Sequence, residues 1–249
     1  MSMVNGVIQG DCRDVIRQLI ADGVRADCII ADPPYGETSL SWDRWPAGWL
    51  VDAFDALKPS GSMWMFGSLR MFMERAQEFG SWVQAQEIVW EKHNGSNAFA
   101  DRFRRVHEFI AQFYRGEWKS VYKTPLFSSD ATARTVRRKA RPQQWGDLGE
   151  SFYESTDGGP RMLRSVWCCR SEHGRALHPT QKPEAIIAPL IEYSCPPGGL
   201  ILDPFAGSGT VAVVAKKLGR RCISIEADPA YIELIERRTR GTLALEFGA

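Results

Sequence analysis

Asp32-Pro33-Pro34-Tyr35 follows the run Ala26-Asp27-Cys28-Ile29-Ile30-Ala31, and this junction decides how the chain reads. The run is short, apolar and β-branched at Ile29 and Ile30, which marks a buried strand. Two prolines end it, because neither has an N–H to give to a ladder. The residue before a proline avoids the helical region, so Asp32 is expected in extended form at the strand's C-terminal tip. In open α/β sheets that edge is where ligands bind. The four residues offer a carboxylate, a rigid turn with a free carbonyl, and an aromatic ring. A loop with a capping Asp would read the same way, so the rest of the chain must discriminate.

The chain has 249 residues, 44% hydrophobic and 24% charged, which suits one large α/β domain with an insertion. Apolar, β-branched runs place seven strands, near residues 7, 29, 64, 89, 110, 201 and 223. Lys58-Pro59-Ser60-Gly61 reads as a turn, and His93-Asn94-Gly95-Ser96-Asn97 as a loop. The stretch from Gly36 to Pro46 reads as a mobile loop beside Asp32, with Trp42 and Trp45 either substrate contacts or packing. The first ten residues lack the apolar core of a signal peptide, and no apolar run nears the ~20 residues of a membrane span. Six cysteines without a Cys-x-x-Cys pair imply reduced, cytosolic thiols, and four histidines without ligand spacing imply no metal site.

The character changes from about Arg115 to Ala176. Residues 116–176 hold 11 Lys and Arg against 7 Asp and Glu, a net +4 in a chain of net +1. The densest patch is Arg134, Arg137, Arg138, Lys139 and Arg141, followed by Trp145. Basic residues interleaved with aromatics suit a polyanion with stackable bases; a solvated charged face is the plainer reading.

Near the end, Leu200-Ile201-Leu202 leads into Asp203-Pro204-Phe205-Ala206-Gly207-Ser208-Gly209-Thr210, a strand, a Gly-rich turn and a helix. Glycines at such a turn admit a ligand close to the backbone, and the helix N-terminus offers N–H groups. Glu226 ends the next strand, 17 residues after Gly209, where an acidic residue accepts ribose hydroxyls. The turn is neither Gly-x-Gly-x-x-Gly nor a phosphate loop with its lysine, so the cofactor reads as a nucleoside without pyrophosphate.

Together, Asp32-Pro33-Pro34-Tyr35 and Asp203-Pro204-Phe205-Ala206-Gly207-Ser208-Gly209-Thr210 resemble the amino-methyltransferases of DNA. The order, catalytic motif first and cofactor motif last, is similar to their β group. Gly10-Asp11-Cys12, His178-Pro179-Thr180-Gln181-Lys182-Pro183 and Ile225-Glu226-Ala227-Asp228-Pro229 extend the resemblance over most of the chain outside 116–176. It implies a permuted seven-stranded Rossmann-like α/β sheet with helices on both faces. It also implies a catalytic half at 1–115, a target-recognition insertion at 116–176 and a cofactor half at 177–249.

The resemblance further implies roles. Asp32 and the Pro33 carbonyl accept the two hydrogens of an exocyclic amine, Pro34 stiffens the turn, and Tyr35 stacks on a flipped base. S-adenosyl-L-methionine is the implied cofactor. Its methionine end falls to Phe205, Ala206, Gly207, Ser208, Gly209 and Thr210 within the Asp203 motif, its ribose to Glu226, and its adenine to Asp11 and Cys12. Lys182 would pair with its carboxylate and Thr180 assist, although Thr180 and Asp11 also fit helix caps and Lys182 a surface charge. The implied substrate is double-stranded DNA, methylated at adenine N6, with cytosine N4 or a non-catalytic DNA-binding module as alternatives. A small recognition region implies a homodimer, and the family implies a bacterial or phage protein of the cytoplasm.

Overall fold

The computed structural model describes residues 6–96, 101–138, 150–172 and 181–242. Its main sheet follows from side-chain alternation. Ile29, Ala31, Met63, Met65, Leu200, Leu202, Ile223 and Ile225 pack on one face with Ile16, Leu19, Trp49 and Leu50. Their neighbours Cys28, Ile30, Trp64, Phe66, Ile201 and Cys222 pack on the other face with Ile186, Ile187, Leu190, Val211 and Val214. Strands buried on both faces need near-continuous apolar runs and a helix layer on each side. Both are present.

The strands of this sheet are β1 (Gly6–Gln9), β2 (Ala26–Ala31), β3 (Leu57–Gly67), β4 (Val83–Ser96) and β5 (Arg105–Tyr114), then β10 (Val166–Cys168), β11 (Leu200–Asp203) and β12 (Arg221–Glu226). Their order is β1-β12-β11-β2-β3-β5-β4-β10, and only β5 runs antiparallel to its neighbours. Helices α1 (Cys12–Ala21) and α2 (Trp49–Ala56) cover the first face, and α4 (Glu184–Ser194) and α5 (Thr210–Lys217) the second. Short α3 (Leu69–Glu74) follows β3, and α6 (Pro229–Arg240) closes the described chain, its N-cap Asp228 accepting from the Ala230 N–H at 2.9 Å. The fully buried Trp49, Trp64 and Trp90 anchor the two layers. Each such side chain contributes about 1.5–3 kcal/mol or more by leaving water.

All seven expected strands are present, in a mixed α/β architecture with helices on both faces. Three local expectations change. An eighth strand, β10, adds beside β4; three residues are too short to leave a periodic pattern. Lys58-Pro59-Ser60-Gly61 does not separate helix from strand but bulges within β3, between the pairs Ala26↔Leu57 and Cys28↔Ser62. Gly61 is required there, since a Cβ would sit 2.7 Å from the Asp27 carbonyl oxygen. His93 to Ser96 continue β4 past an irregular register instead of forming a loop.

The chain divides into two compact units: Met1–Thr124 with Ser165–Ala249, and Pro125–Arg164. The second consists of two antiparallel ribbons. β6 (Phe127–Ser128) pairs with β9 (Arg161–Met162), and β7 (Arg134–Arg138) with β8 (Ser151–Ser155). Ala131 is buried within it, and the Ala133 N–H donates to Asp157 Oδ1 at 2.6 Å.

Candidate active site

From β11 the chain crosses through α5 to β12, and from β2 through α2 to β3, on the opposite side and over the opposite face. β11 and β2 are neighbours, with Leu202 beside Ile29. A crevice opens beyond the C-terminal ends of two strands whose crossovers diverge this way. Asp32 and Asp203 sit at those two tips. A cavity of about 1830 Å³ lies here, lined by both sequence motifs and by the ends of β1, β4, β5 and β12.

Asp32 ends a largely buried chain of alternating charges that runs through Lys182 and Glu108 to Lys92. Tyr35 Oη donates to its Oδ1 at 3.0 Å, and Lys182 Nζ to its Oδ2 at 2.6 Å. Lys182 also lies 3.6 Å from Glu108 Oε2 and 5.0 Å from the Phe66 ring centroid. Lys92 donates to the other Glu108 oxygen. Burial pushes the Asp32 carboxyl above its ordinary 3.8, against the pull of Lys182, while Glu108 adds to the rise. Burial works against the charged forms of Lys182 and Glu108 too. Asp32 and Glu108 outweigh it at Lys182, which is raised, and Lys182 and Lys92 outweigh it at Glu108, which is lowered. The chain of two carboxylates and two ammoniums is therefore self-compensating, the condition under which charges tolerate burial.

The loop after Tyr35 is pinned by Asp43. That side chain is buried and accepts from the Gly36 N–H at 2.8 Å and the Thr38 N–H at 2.7 Å. Trp45 packs, its Nε1 donating to Glu78 at 2.8 Å and its ring meeting Trp49 edge-on, and it also lines the cavity. Trp42 is exposed and lines the cavity.

The cofactor motif turns tightly. Gly207 and Gly209 have φ of 50° and 76°, and a Cβ on Gly209 would meet Ile235 of α6 at 2.9 Å. Glu226 holds the turn from the tip of β12: its Oε2 accepts from the Gly207 N–H at 2.7 Å, its Oε1 from the Asp228 N–H at 2.9 Å. Burial raises its carboxyl above the usual range despite these two donors. The Ala206 N–H donates to the Ile225 carbonyl at 2.9 Å, and Phe205 packs edge-on against Trp49. Ser208 and Thr210 hydroxyls lie 3.2 Å apart, and Arg238 donates to the Ser208 carbonyl. Asp203 is 2% exposed; burial lifts its carboxyl well above the usual value, and it accepts the Phe205 N–H at 3.3 Å. It braces the turn.

Asp11 and Cys12 line the same cavity. Asp11 caps α1 through the Arg13 N–H at 2.9 Å and also pairs with the Arg13 guanidinium, whose hydrogen bonds hold its carboxyl down to about 2. Burial pushes the Cys12 thiol up to about 12, so it is an uncharged wall. Lys182, read as a partner for the cofactor's carboxylate, donates to Asp32 and lies 3.6 Å from Glu108. Thr180, Lys139 and Arg141 lie outside the described residues. Arg134 and Arg137 are exposed on β7, Arg137 opposite the exposed Phe152 of β8, and Arg138 pairs in register with Ser151.

Sequence reasoning missed Glu108, Lys92 and Phe103. A carboxylate inside the apolar stretch from Val106 to Tyr114 was the available signal for Glu108. Phe103 is 102% exposed at the cavity rim, amid Arg102, Arg104 and Arg105. Among the described residues, no group of His, Cys, Asp and Glu could hold a metal ion, and no helix is long and apolar enough to cross a membrane.

Comparison with known proteins gives consistent relatives. A family model described as DNA methylase matches residues 26–237. Type II methyltransferase M.HinfI of Haemophilus influenzae is 28% identical over 275 residues, spanning 95% of this chain and 68% of its own length. The M1.HpyAVI–SAM complex superposes with a TM-score of 0.64 at 24% identity, covering 94% of this chain and 98% of its own. The cytosine-N4-specific PvuII DNA methyltransferase superposes at 0.61 with 15% identity, covering 94% and 86%. At such identities the solved structures show a shared fold.

Proposed function

This chain belongs to the DNA methylase family, and we propose that it transfers a methyl group from S-adenosyl-L-methionine to the N6 amine of adenine in double-stranded DNA. The observation that carries the reading is the meeting of the Asp32 tip and the Gly-rich turn in one cavity, at the point where the crossovers diverge.

The donor set fits the cofactor. Each Glu226 oxygen takes one backbone N–H and keeps lone-pair capacity for one hydroxyl of a ribose diol. The methionine end falls to the cavity wall formed by Phe205, Ala206, Gly207 and Ser208, with Thr210 beside it. Asp11 and Cys12 border the place for the adenine ring. When bound, S-adenosyl-L-methionine supplies an electrophilic methyl group on sulfonium sulfur.

The chain's own residues supply position and electrostatics. An exocyclic amine is a weak nucleophile because its lone pair is delocalised into the ring. Asp32 and the Pro33 carbonyl accept the amine hydrogens, which favours a localised lone pair and stabilises the charge that develops on nitrogen. Tyr35 offers a face to the base, which has to leave the duplex to be reached. Arg102 and Arg105 around Phe103 at the rim, and Arg134 and Arg137 on β7 of the second unit, Arg137 opposite Phe152, suit phosphates and bases. We read the Pro125–Arg164 unit, with the flanks that complete 116–176, as the target-recognition region. The role is that of a type II modification enzyme in a bacterial or phage restriction setting, in the cytoplasm.

A fold shared with a cytosine-N4-specific enzyme keeps the second amine in view. Incubation with S-adenosyl-L-methionine and unmethylated plasmid, digestion to nucleosides and mass spectrometry separates the two. N6-methyladenine is expected. N4-methylcytosine would keep the mechanism and change the base; neither would remove the reaction. We further read the active form as a homodimer, because the recognition unit is small. Sedimentation with and without duplex DNA is expected to give about twice the 28.0 kDa chain mass, and a monomer that methylates duplex DNA would sink this part.

A further inference from the structure

Both Asp32 oxygens are engaged before any substrate arrives, Oδ1 by Tyr35 and Oδ2 by Lys182 at 2.6 Å. A target amine has to share or displace these donors. Beside them, Glu108 Oε2 is buried and makes no hydrogen bond, 3.6 Å from Lys182 Nζ. Its other oxygen is held by Lys92. Buried carboxylate oxygens are ordinarily hydrogen-bonded, so this one calls for an explanation.

We propose that Glu108 Oε2 is the seat to which Lys182 moves when the target amine docks on Asp32. This rests on the methyl-transfer reading above. A shift of under about 1 Å brings Nζ from ion-pair distance to ordinary hydrogen-bond length. An ammonium has three donors, so Lys182 can turn toward Glu108 while staying close enough to neutralise Asp32. The charge balance of the site is unchanged by the step: two lysines face two carboxylates before and after. What changes is that Asp32 Oδ2 becomes available to the amine. Glu108 touches no reacting atom; it is a positioning residue acting through Lys182.

A double-mutant cycle tests this, with the target site first mapped in plasmid DNA. Glu108→Gln keeps the shape and loses the charge that draws Lys182 across. It is expected to lower kcat about tenfold or more, with KM for S-adenosyl-L-methionine within about twofold. Glu108→Asp, which keeps the charge, is expected to recover most of that loss. In a Lys182→Met background there is nothing to draw across, and adding Glu108→Gln is expected to change kcat by less than about twofold. Equal losses in both backgrounds would mean a merely structural carboxylate and would overturn the proposal. Should the variants fold poorly, the unmutated protein decides it. A crystal structure with the mapped duplex and S-adenosylhomocysteine is expected to show Lys182 Nζ within hydrogen-bond distance of Glu108. Lys182 still seated on Asp32 Oδ2, with the base amine docked, would overturn it. A wild-type enzyme that methylates no DNA removes the reaction and this step together; an active enzyme with additive losses removes the step alone.

Discussion

Asp32→Asn is expected to lower kcat about 10²–10³-fold, and Asp32→Ala further still, with binding of S-adenosyl-L-methionine retained in both. Asparagine keeps the size of the side chain and one acceptor oxygen, so Tyr35 can still donate to it. It loses the negative charge that would stabilise a nitrogen turning cationic, and it offers the amine a competing donor. The carboxylate has to be ionised to act, so activity falls as pH drops through its pKa. Burial raises that value above its ordinary 3.8, so the acid limb of the kcat profile is expected at higher pH than for a free aspartate. Glu226 is also raised by burial. Its protonation acts through cofactor binding, so it is expected in KM for the cofactor and not in kcat. Initial rates of methyl incorporation across pH, at saturating cofactor, separate the two. An Asp32→Asn enzyme within about threefold of wild type would remove Asp32 from the chemistry.

The sheet was legible because its central strands β2, β11 and β12 are almost wholly buried and carry near-continuous apolar runs. The two tips were legible because proline and glycine mark chain geometry directly. Asp32-Pro33-Pro34-Tyr35 has to end a strand, and Gly207 and Gly209 do take positive φ. The charge chain was not legible. Asp32 and Lys182 are 150 residues apart, and nothing local in either stretch says that they pair. Lys182 reads as readily for a cofactor carboxylate as for an aspartate. Glu108 looks like an imperfection in a strand until β5 lies two places from β2. Lys58-Pro59-Ser60-Gly61 carries turn chemistry and does bend the chain, but tertiary pairing on both sides turns the bend into a bulge. The Pro125–Arg164 unit left little pattern because its short ribbons expose most of their side chains, Phe127, Phe152, Tyr153 and Met162 among them. A strand with no buried face imprints no period on its sequence.

Glu226→Ala is expected to weaken S-adenosyl-L-methionine binding about 100-fold while leaving the sheet folded. A hydrogen bond to a charged acceptor contributes about 1.5–3 kcal/mol. Two ribose hydroxyls at the lower figure give about 3 kcal/mol, and each 1.4 kcal/mol is about a factor of ten. The substitution also frees the Gly207 and Asp228 N–H groups, now held at 2.7 and 2.9 Å. The Gly-rich turn then loses its tie to β12, which lowers affinity further through a less ordered site. Glutamine at 226 separates these effects: its amide oxygen can hold one N–H, yet it cannot accept from both hydroxyls and both backbone groups. Calorimetric titration is expected to rank wild type above Glu226→Gln above Glu226→Ala, with Asp32→Ala close to wild type. That ordering would place cofactor and target amine on different tips of one sheet edge. A Glu226→Ala protein binding within about threefold of wild type would show that the ribose lies elsewhere, and would return Glu226 to a purely structural brace on the turn.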